Sequence, residues 1–141
     1  MIKVYLGFDV GTKRTGVAIA NSLTRHAQGI DVINNHKNGS TNWPAFDETI
    51  KKHGANELVV GLPYDQNNQE QEMTFIAKSF AKKLKKRYQI PVVLIDEYLS
   101  SMDAKKLLKY NHYHPKAQRG EVDKKSAELI LQTWLNEEIF D

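Results

Sequence analysis

The sequence has no cysteine and few residues that interrupt regular structure. The absence of cysteine excludes disulfides, thiolate zinc sites and cysteine nucleophiles, and it suits a reducing compartment. Four prolines and eight glycines are too few for a collagen-like or disordered chain. No apolar run approaches the roughly 20 residues that a bilayer requires. The apolar stretch from Val4 to Val10 is interrupted by Asp9 and lacks a cleavage site. We therefore expect a cytoplasmic protein that does not contact a membrane.

The length and charge distribution are those of a small globular protein with one basic half. The 141 residues fit a single domain covering 1–141. From Lys78 to Lys125 there are thirteen Lys/Arg against five Asp/Glu, whereas the remainder is net acidic. A basic half of this kind is typical of a protein that binds a polyanion such as nucleic acid. The ordinary alternative is a set of solvated helix faces that carry lysine.

Hydrophobic periodicity predicts strands in the first third of the chain. Lys3–Val10 alternates, so that Asp9 lies on the face opposite the apolar side chains of this strand. Two further strands are predicted at Thr15–Ala20 and Ala27–Asn34, and short turns join all three. The prediction is an antiparallel three-strand meander.

The later part of the chain predicts alternating helices and strands. The predicted helices are Trp43–His53, Gln69–Tyr88, Ser100–Leu108 and Asp123–Ile139, and the strands are Glu57–Leu62 and Pro91–Ile95. A polar, basic loop is predicted over 111–120. In the long second helix we expect four side chains to face inward: Phe75, Ile76, Phe80 and Leu84. Crossovers after a meander imply an α/β fold: a mixed sheet in which two parallel strands follow the meander, with helices on both faces.

Carboxylates stand at the ends of two predicted strands and at the start of the last predicted helix. Asp9, Glu97 and Asp123 are each open to an ordinary explanation: a turn, a solvated strand end and a helix N-terminus. Two like charges 4 Å apart at an effective dielectric constant near 20 repel by about 4 kcal/mol. If the fold brings the three together, cations must offset that repulsion, and hard divalent ions with oxygen ligands do so.

Several segments in register resemble the YqgF/RuvX family, relatives of the RuvC resolvases within the ribonuclease H-like fold. These segments cover nearly the whole chain: Gly7–Ala18, Glu57–Pro63, Pro91–Glu97, Val122–Asp123 and Leu129–Gln132. The chain departs from the family's usual pattern at Tyr98, at Glu121 and in the Gln/Asn-rich stretch 65–72.

The resemblance implies a metal-dependent nuclease of the bacterial cytoplasm. Members of the family are described as Holliday junction resolvases and as nucleases that mature the precursor of small-subunit ribosomal RNA. The family's catalytic, metal-binding acids fall on Asp9, Glu97 and Asp123, with Mg²⁺ or Mn²⁺ as the cofactor and two ions expected. Lys13 and Arg14, on the turn beside Asp9, would hold substrate phosphate; an exposed turn tip is the alternative.

The basic half supplies further candidates for substrate binding. Lys82, Lys83 and Lys86 lie on the second predicted helix, and Arg119 belongs to the basic loop, where Tyr113 and the preceding Tyr110 could stack on unpaired bases. His112 and His114 are interpreted as plain loop residues. A branched substrate would favour a weak homodimer, whereas trimming of an RNA end needs only a monomer. The alternative function is a nucleic-acid-binding module of the same fold whose acidic site has lost activity.

Overall fold

The computed structural model describes residues 1–96 and 119–138. Its elements are β1 (Val4–Val10), β2 (Arg14–Asn21), β3 (Gln28–Asn34), α1 (Trp43–His53), β4 (Glu57–Leu62), α2 (Glu72–Tyr88), β5 (Val92–Asp96) and α3 (Arg119–Glu138). The predicted helix Ser100–Leu108 and most of the predicted loop 111–120 lie outside the described residues, as do Glu97, Tyr110, Tyr113 and both histidines of that loop.

The strands form one five-stranded mixed sheet in the order β3-β2-β1-β4-β5. β1 pairs with β2 and β2 with β3 in antiparallel fashion, whereas β4 is parallel to both β1 and β5. The predicted meander followed by two parallel strands is therefore confirmed.

Each face of the sheet is covered by helices, because the strands alternate apolar side chains between two cores. On one face α1 and α2 pack through an aromatic cluster in which the ring centroids of Phe8 and Phe46 lie 5.7 Å apart. On the other face, among residues 1–96 and 119–138, α3 is the helix that packs on the sheet, and Tyr5 meets Trp134 edge to face at 5.0 Å. The predicted arrangement with helices on both faces is confirmed.

The bounds of α1 follow from local capping signals. The Asn42 side chain accepts a hydrogen bond from the Ala45 amide at 3.4 Å, and Pro44 occupies the first turn. Gly54 adopts the left-handed conformation with φ 60°, which ends the helix. The structure confirms the predicted helix at both ends.

The start and orientation of α2 differ from the prediction. The helix begins at Glu72 instead of Gln69, because the Gln71 amide donates to the Thr74 hydroxyl and caps the first turn. Residues 74, 77, 80, 81 and 84 form its buried face. Phe75 therefore lies on the opposite side and is 58% exposed, so its predicted inward orientation is wrong.

The last strand and the last helix also differ in detail. β5 is parallel as predicted, but it ends the sheet order and Leu94 is 44% exposed, so the strand is half-buried. α3 already includes Arg119, four residues before the predicted start at Asp123, and Gly120, the predicted end of the basic loop, also lies in the helix. Arg119 is thus a helical residue.

Candidate active site

Asp9 lies near the end of β1 and faces α3. Its cross-strand partner in β2 is Gly16, and directly opposed residues share one face of the sheet. Gly7, two residues earlier on that face, has its missing Cβ position 2.8 Å from the Cβ of Leu131 in α3. Asp9 is partly buried on the side of the sheet that α3 covers.

The backbone of α3 approaches the sheet closely at Asp123. A Cβ added to Gly16 would lie 2.1 Å from the carbonyl oxygen of Asp123, and one added to Gly29 would lie 2.6 Å from that of Lys124. Only glycine on these two strands lets the helix backbone rest directly on the sheet. Because Gly16 pairs with Asp9 at a spacing of about 4.5–5.5 Å between Cα atoms, Asp9 and Asp123 lie within side-chain reach of each other.

Arg14 forms an ion pair with Asp123. The Nε of Arg14 donates to Oδ2 of Asp123, and the two side chains are 31% and 20% exposed. This guanidinium partly offsets the repulsion between two neighbouring carboxylates. Sequence reasoning missed the pair, although period-two alternation does place Arg14 and Gly16 on the same face of β2.

The third predicted acid, Glu97, lies outside the described residues. β5 ends at Asp96, and β4 separates β5 from β1. At about 4.8 Å between neighbouring strands, the ends of β1 and β5 are on the order of 10 Å apart. Within residues 1–96 and 119–138 no group of three acidic or histidine side chains could hold a metal ion. At the end of β1 the described residues supply two carboxylates, those of Asp9 and Asp123.

The predicted phosphate-binding cations divide between two places. Lys13 is exposed on the turn after β1, and Arg119 is exposed one helical turn before Asp123 on α3. Lys82, Lys83 and Lys86 are exposed on α2, which covers the opposite face of the sheet. The structure thus pairs Arg14 with Asp123, sets Lys13 on the turn that follows β1 and Arg119 one helical turn before Asp123, and places the three α2 lysines on the opposite face.

The described helices carry no membrane-spanning candidate. None of them combines the length and the apolar character needed to cross a bilayer.

The sheet order, the meander and the acid at the end of β1 define the ribonuclease H-like class. Solved structures with the same fold include the RuvC resolvase of Thermus thermophilus in complex with a Holliday junction substrate (TM-score 0.60, 11% identity, 98% of this chain and 96% of that chain). The yeast mitochondrial Holliday junction resolvase Ydc2 also matches (TM-score 0.56, 11% identity, 96% of this chain and 78% of that chain).

The chain belongs to the RuvX family, whose model, described as "Holliday junction resolvase", matches residues 3–137. A protein of Coxiella burnetii (strain Dugway 5J108-111) is 37% identical over 135 residues, which cover 96% of this chain and 94% of that protein. One of Legionella pneumophila (strain Paris) is 38% identical over 134 residues, covering 95% and 96%. Both carry the name "Putative pre-16S rRNA nuclease".

These comparisons confirm the family and the enzyme class predicted from the sequence. The protein is a nuclease, a hydrolase acting on phosphodiester bonds, and its substrate is therefore a nucleic acid.

Proposed function

We propose that this protein is a divalent-metal-dependent nuclease that trims the precursor of 16S ribosomal RNA in the cytoplasm, acting as a single domain. The observation that carries the proposal is the close approach of α3 to β2, which sets Asp123 beside Asp9 across Gly16. The substrate is supported by the names of two relatives that align with this chain over almost their whole length.

The residues at the end of β1 suit a hard divalent cation. Carboxylate oxygens are the ligands that Mg²⁺ and Mn²⁺ prefer, and both Asp9 and Asp123 are only partly buried, so that solvent and substrate oxygens have access. Glu97 is proposed as the third ligand. Two bound ions would supply a deprotonated water and stabilise the leaving oxygen of a phosphodiester.

The surrounding cations are proposed to orient the substrate. Lys13 on the turn and Arg119 one helical turn before Asp123 would contact phosphates on either side of the scissile bond. Arg14 holds the Asp123 carboxylate in position through its Nε while its guanidinium borders the same site. Lys82, Lys83 and Lys86 would contact more distant phosphates, because α2 lies on the other face of the sheet.

Branched DNA is the second candidate substrate. The family is described as a Holliday junction resolvase, and the RuvC neighbour was solved with a junction bound. A branched substrate favours a two-fold dimer, whereas RNA trimming needs only a monomer. Sedimentation with and without each nucleic acid distinguishes the two states.

The direct test is cleavage of a precursor-rRNA fragment and of a four-way junction with Mg²⁺ or Mn²⁺. Asp9→Asn should lose more activity than the roughly 10–100-fold typical of losing a second-sphere partner. Asp31→Asn is the matched control, because Asp31 is an exposed carboxylate on β3. If the wild type binds both substrates and cuts neither, the protein is instead the inactive binding module.

A further inference from the structure

A groove of about 520 Å³ lies on the α2 face of the sheet, below the turn between β1 and β2. One wall is formed by the end of β1, the turn and the segment after β3; the other is formed by α2. Its volume lies within the range of small-molecule sites, roughly 300–1,000 Å³. Its lining includes Val10, Thr12 and Asn35 on one wall and Phe75, Phe80 and Lys83 on the other.

The groove presents an aromatic face beside cations and hydrogen-bonding groups. Phe75 is 58% exposed, whereas Phe80, which also lines the groove, is buried. The Nζ of Lys78 lies 5.9 Å from the centroid of the Phe75 ring, and Lys83 lines the groove one to two turns further along α2. The opposite wall offers the hydroxyl of Thr12 and the amide of Asn35. An aromatic platform with nearby lysines is the combination that binds unpaired nucleotides.

The groove and the Asp9 carboxylate lie on opposite faces of the sheet at the same end of β1. Val10 and its cross-strand partner Thr15 line the groove, while the adjacent pair, Asp9 and Gly16, faces α3. Lys13 lies on the turn between the two faces. A small ligand occupies one face only, but a polynucleotide that passes over the end of β1 contacts both.

The charge around the groove favours a polyanion over a second copy of this chain. Glu72 lines the groove, and Glu70 pairs with Lys78 at 2.6 Å, so the surface is not uniformly basic. The exposed lysines at 82, 83, 85 and 86 nevertheless leave α2 strongly cationic. A second copy of this chain has a net charge of +3, so it offers these lysines far less negative charge than a phosphate backbone does.

We propose that this groove binds an unpaired nucleotide of the substrate, a few nucleotides from the scissile phosphate. The Phe75 ring stacks on the base, and Lys83 contacts a phosphate. Because a base inside a duplex is already stacked between its neighbours, only an unpaired base is free to stack on Phe75, and the site selects a single-stranded segment next to the cleavage point. The inference rests on the proposed nuclease function and adds a specificity-determining site to it.

The first test measures the affinity of a fluorescent 12-nucleotide oligouridine and of a 12-base-pair RNA duplex by anisotropy in EDTA, where no cleavage occurs. Phe75→Ala should weaken single-strand binding by roughly 5- to 150-fold and leave duplex affinity within about twofold of the wild type. Phe75→Trp keeps an aromatic ring at this position and should bind the single strand about as tightly as the wild type. Leu23→Ala is the matched control, since Leu23 is 73% exposed in the turn between β2 and β3, and it should change nothing.

A second test measures whether Lys83 contacts a substrate phosphate. Lys83→Ala should reduce the salt dependence of single-strand binding by about 0.7 in the log–log slope, the value for one phosphate on a single strand. Lys51→Ala, an exposed lysine on α1, should leave the slope unchanged. An unchanged slope for Lys83→Ala would overturn the assigned contact.

The outcomes separate this inference from the nuclease proposal. If the wild type cuts RNA and Phe75→Ala binds and cuts like the wild type, the groove proposal is wrong and the nuclease proposal stands. If Phe75→Ala weakens single-strand binding but the wild type cuts nothing, the nuclease proposal fails alone. Equal losses for single strand and duplex, or a Phe75-dependent dimer in sedimentation, would also overturn the groove proposal.

Discussion

Replacement of Gly16 by alanine tests whether the close approach of α3 to β2 positions Asp123. The new Cβ would lie 2.1 Å from the carbonyl oxygen and 2.6 Å from the carbonyl carbon of Asp123, and ordinary contacts begin near 3.4 Å. Both atoms belong to backbone, so no side-chain rotation relieves the clash and the helix must move by more than 1 Å. Overpacking of this kind destabilises a fold by about 1–3 kcal/mol.

Urea denaturation measures the loss of stability, and Mn²⁺ affinity by calorimetry measures the displacement of Asp123. Gly120→Ala is the control, because its nearest outside atom is the Cγ2 of Val32 at 3.7 Å. It lies in the same helix and should gain up to about 1 kcal/mol from helix propensity. If Gly16→Ala unfolds at the wild-type urea concentration and binds Mn²⁺ with wild-type affinity, the close approach does not hold the site.

Three further predictions concern α2 and its contacts. Arg87 donates two hydrogen bonds to Asp47 and, with Tyr88, lowers the pKa of Asp47 from 3.8 to about 2. The ionised Asp47 therefore stabilises the folded state above about pH 4, and this contribution is lost as the pH falls towards 2. The difference in urea midpoint between the wild type and Asp47→Asn should shrink over that pH range. A difference that stays constant would contradict the prediction. Thr74→Val removes a buried hydroxyl that bonds two backbone groups at the start of α2, and should cost about 1–3 kcal/mol in thermal unfolding; an unchanged melting temperature would refute this role. Charge reversal of Lys82, Lys83 and Lys86 should lower the slope of log K against log salt concentration for duplex binding by roughly 0.9 per lost phosphate contact. An unchanged slope would show that these lysines are ordinary solvent-exposed residues that do not contact the substrate.

Elements whose ends depend on adjacent residues could be predicted from the sequence. The bounds of α1 follow from Asn42, Pro44 and Gly54, which act within one turn of the helix ends. The alternation in β1 likewise placed Asp9 on the face away from the larger core. These signals are local, and the tertiary structure does not override them.

Features that depend on long-range packing could not be predicted. The pair between Arg14 and Asp123 joins residues 109 positions apart, and no local pattern specifies it. The amphipathic pattern of α2 predicts Phe75 on its inward face, but packing on the sheet buries the face that contains Thr74, Ala77 and Leu84, and Phe75 lies opposite that face. The need for glycine at 16 and 29 becomes visible only when α3 is seen resting on the sheet.

Acids distant in sequence are proposed to share a divalent-cation site at the end of β1. Thermal unfolding of the wild type and of Asp9→Asn, titrated with Mg²⁺ and Mn²⁺, tests it most directly. A metal concentration of 100 times Kd should stabilise the wild type by about 2.7 kcal/mol, because the ion binds only the folded state. Asp9→Asn should lose this metal-induced rise in melting temperature. An equal rise in both proteins, or none in the wild type at millimolar metal, would contradict the claim.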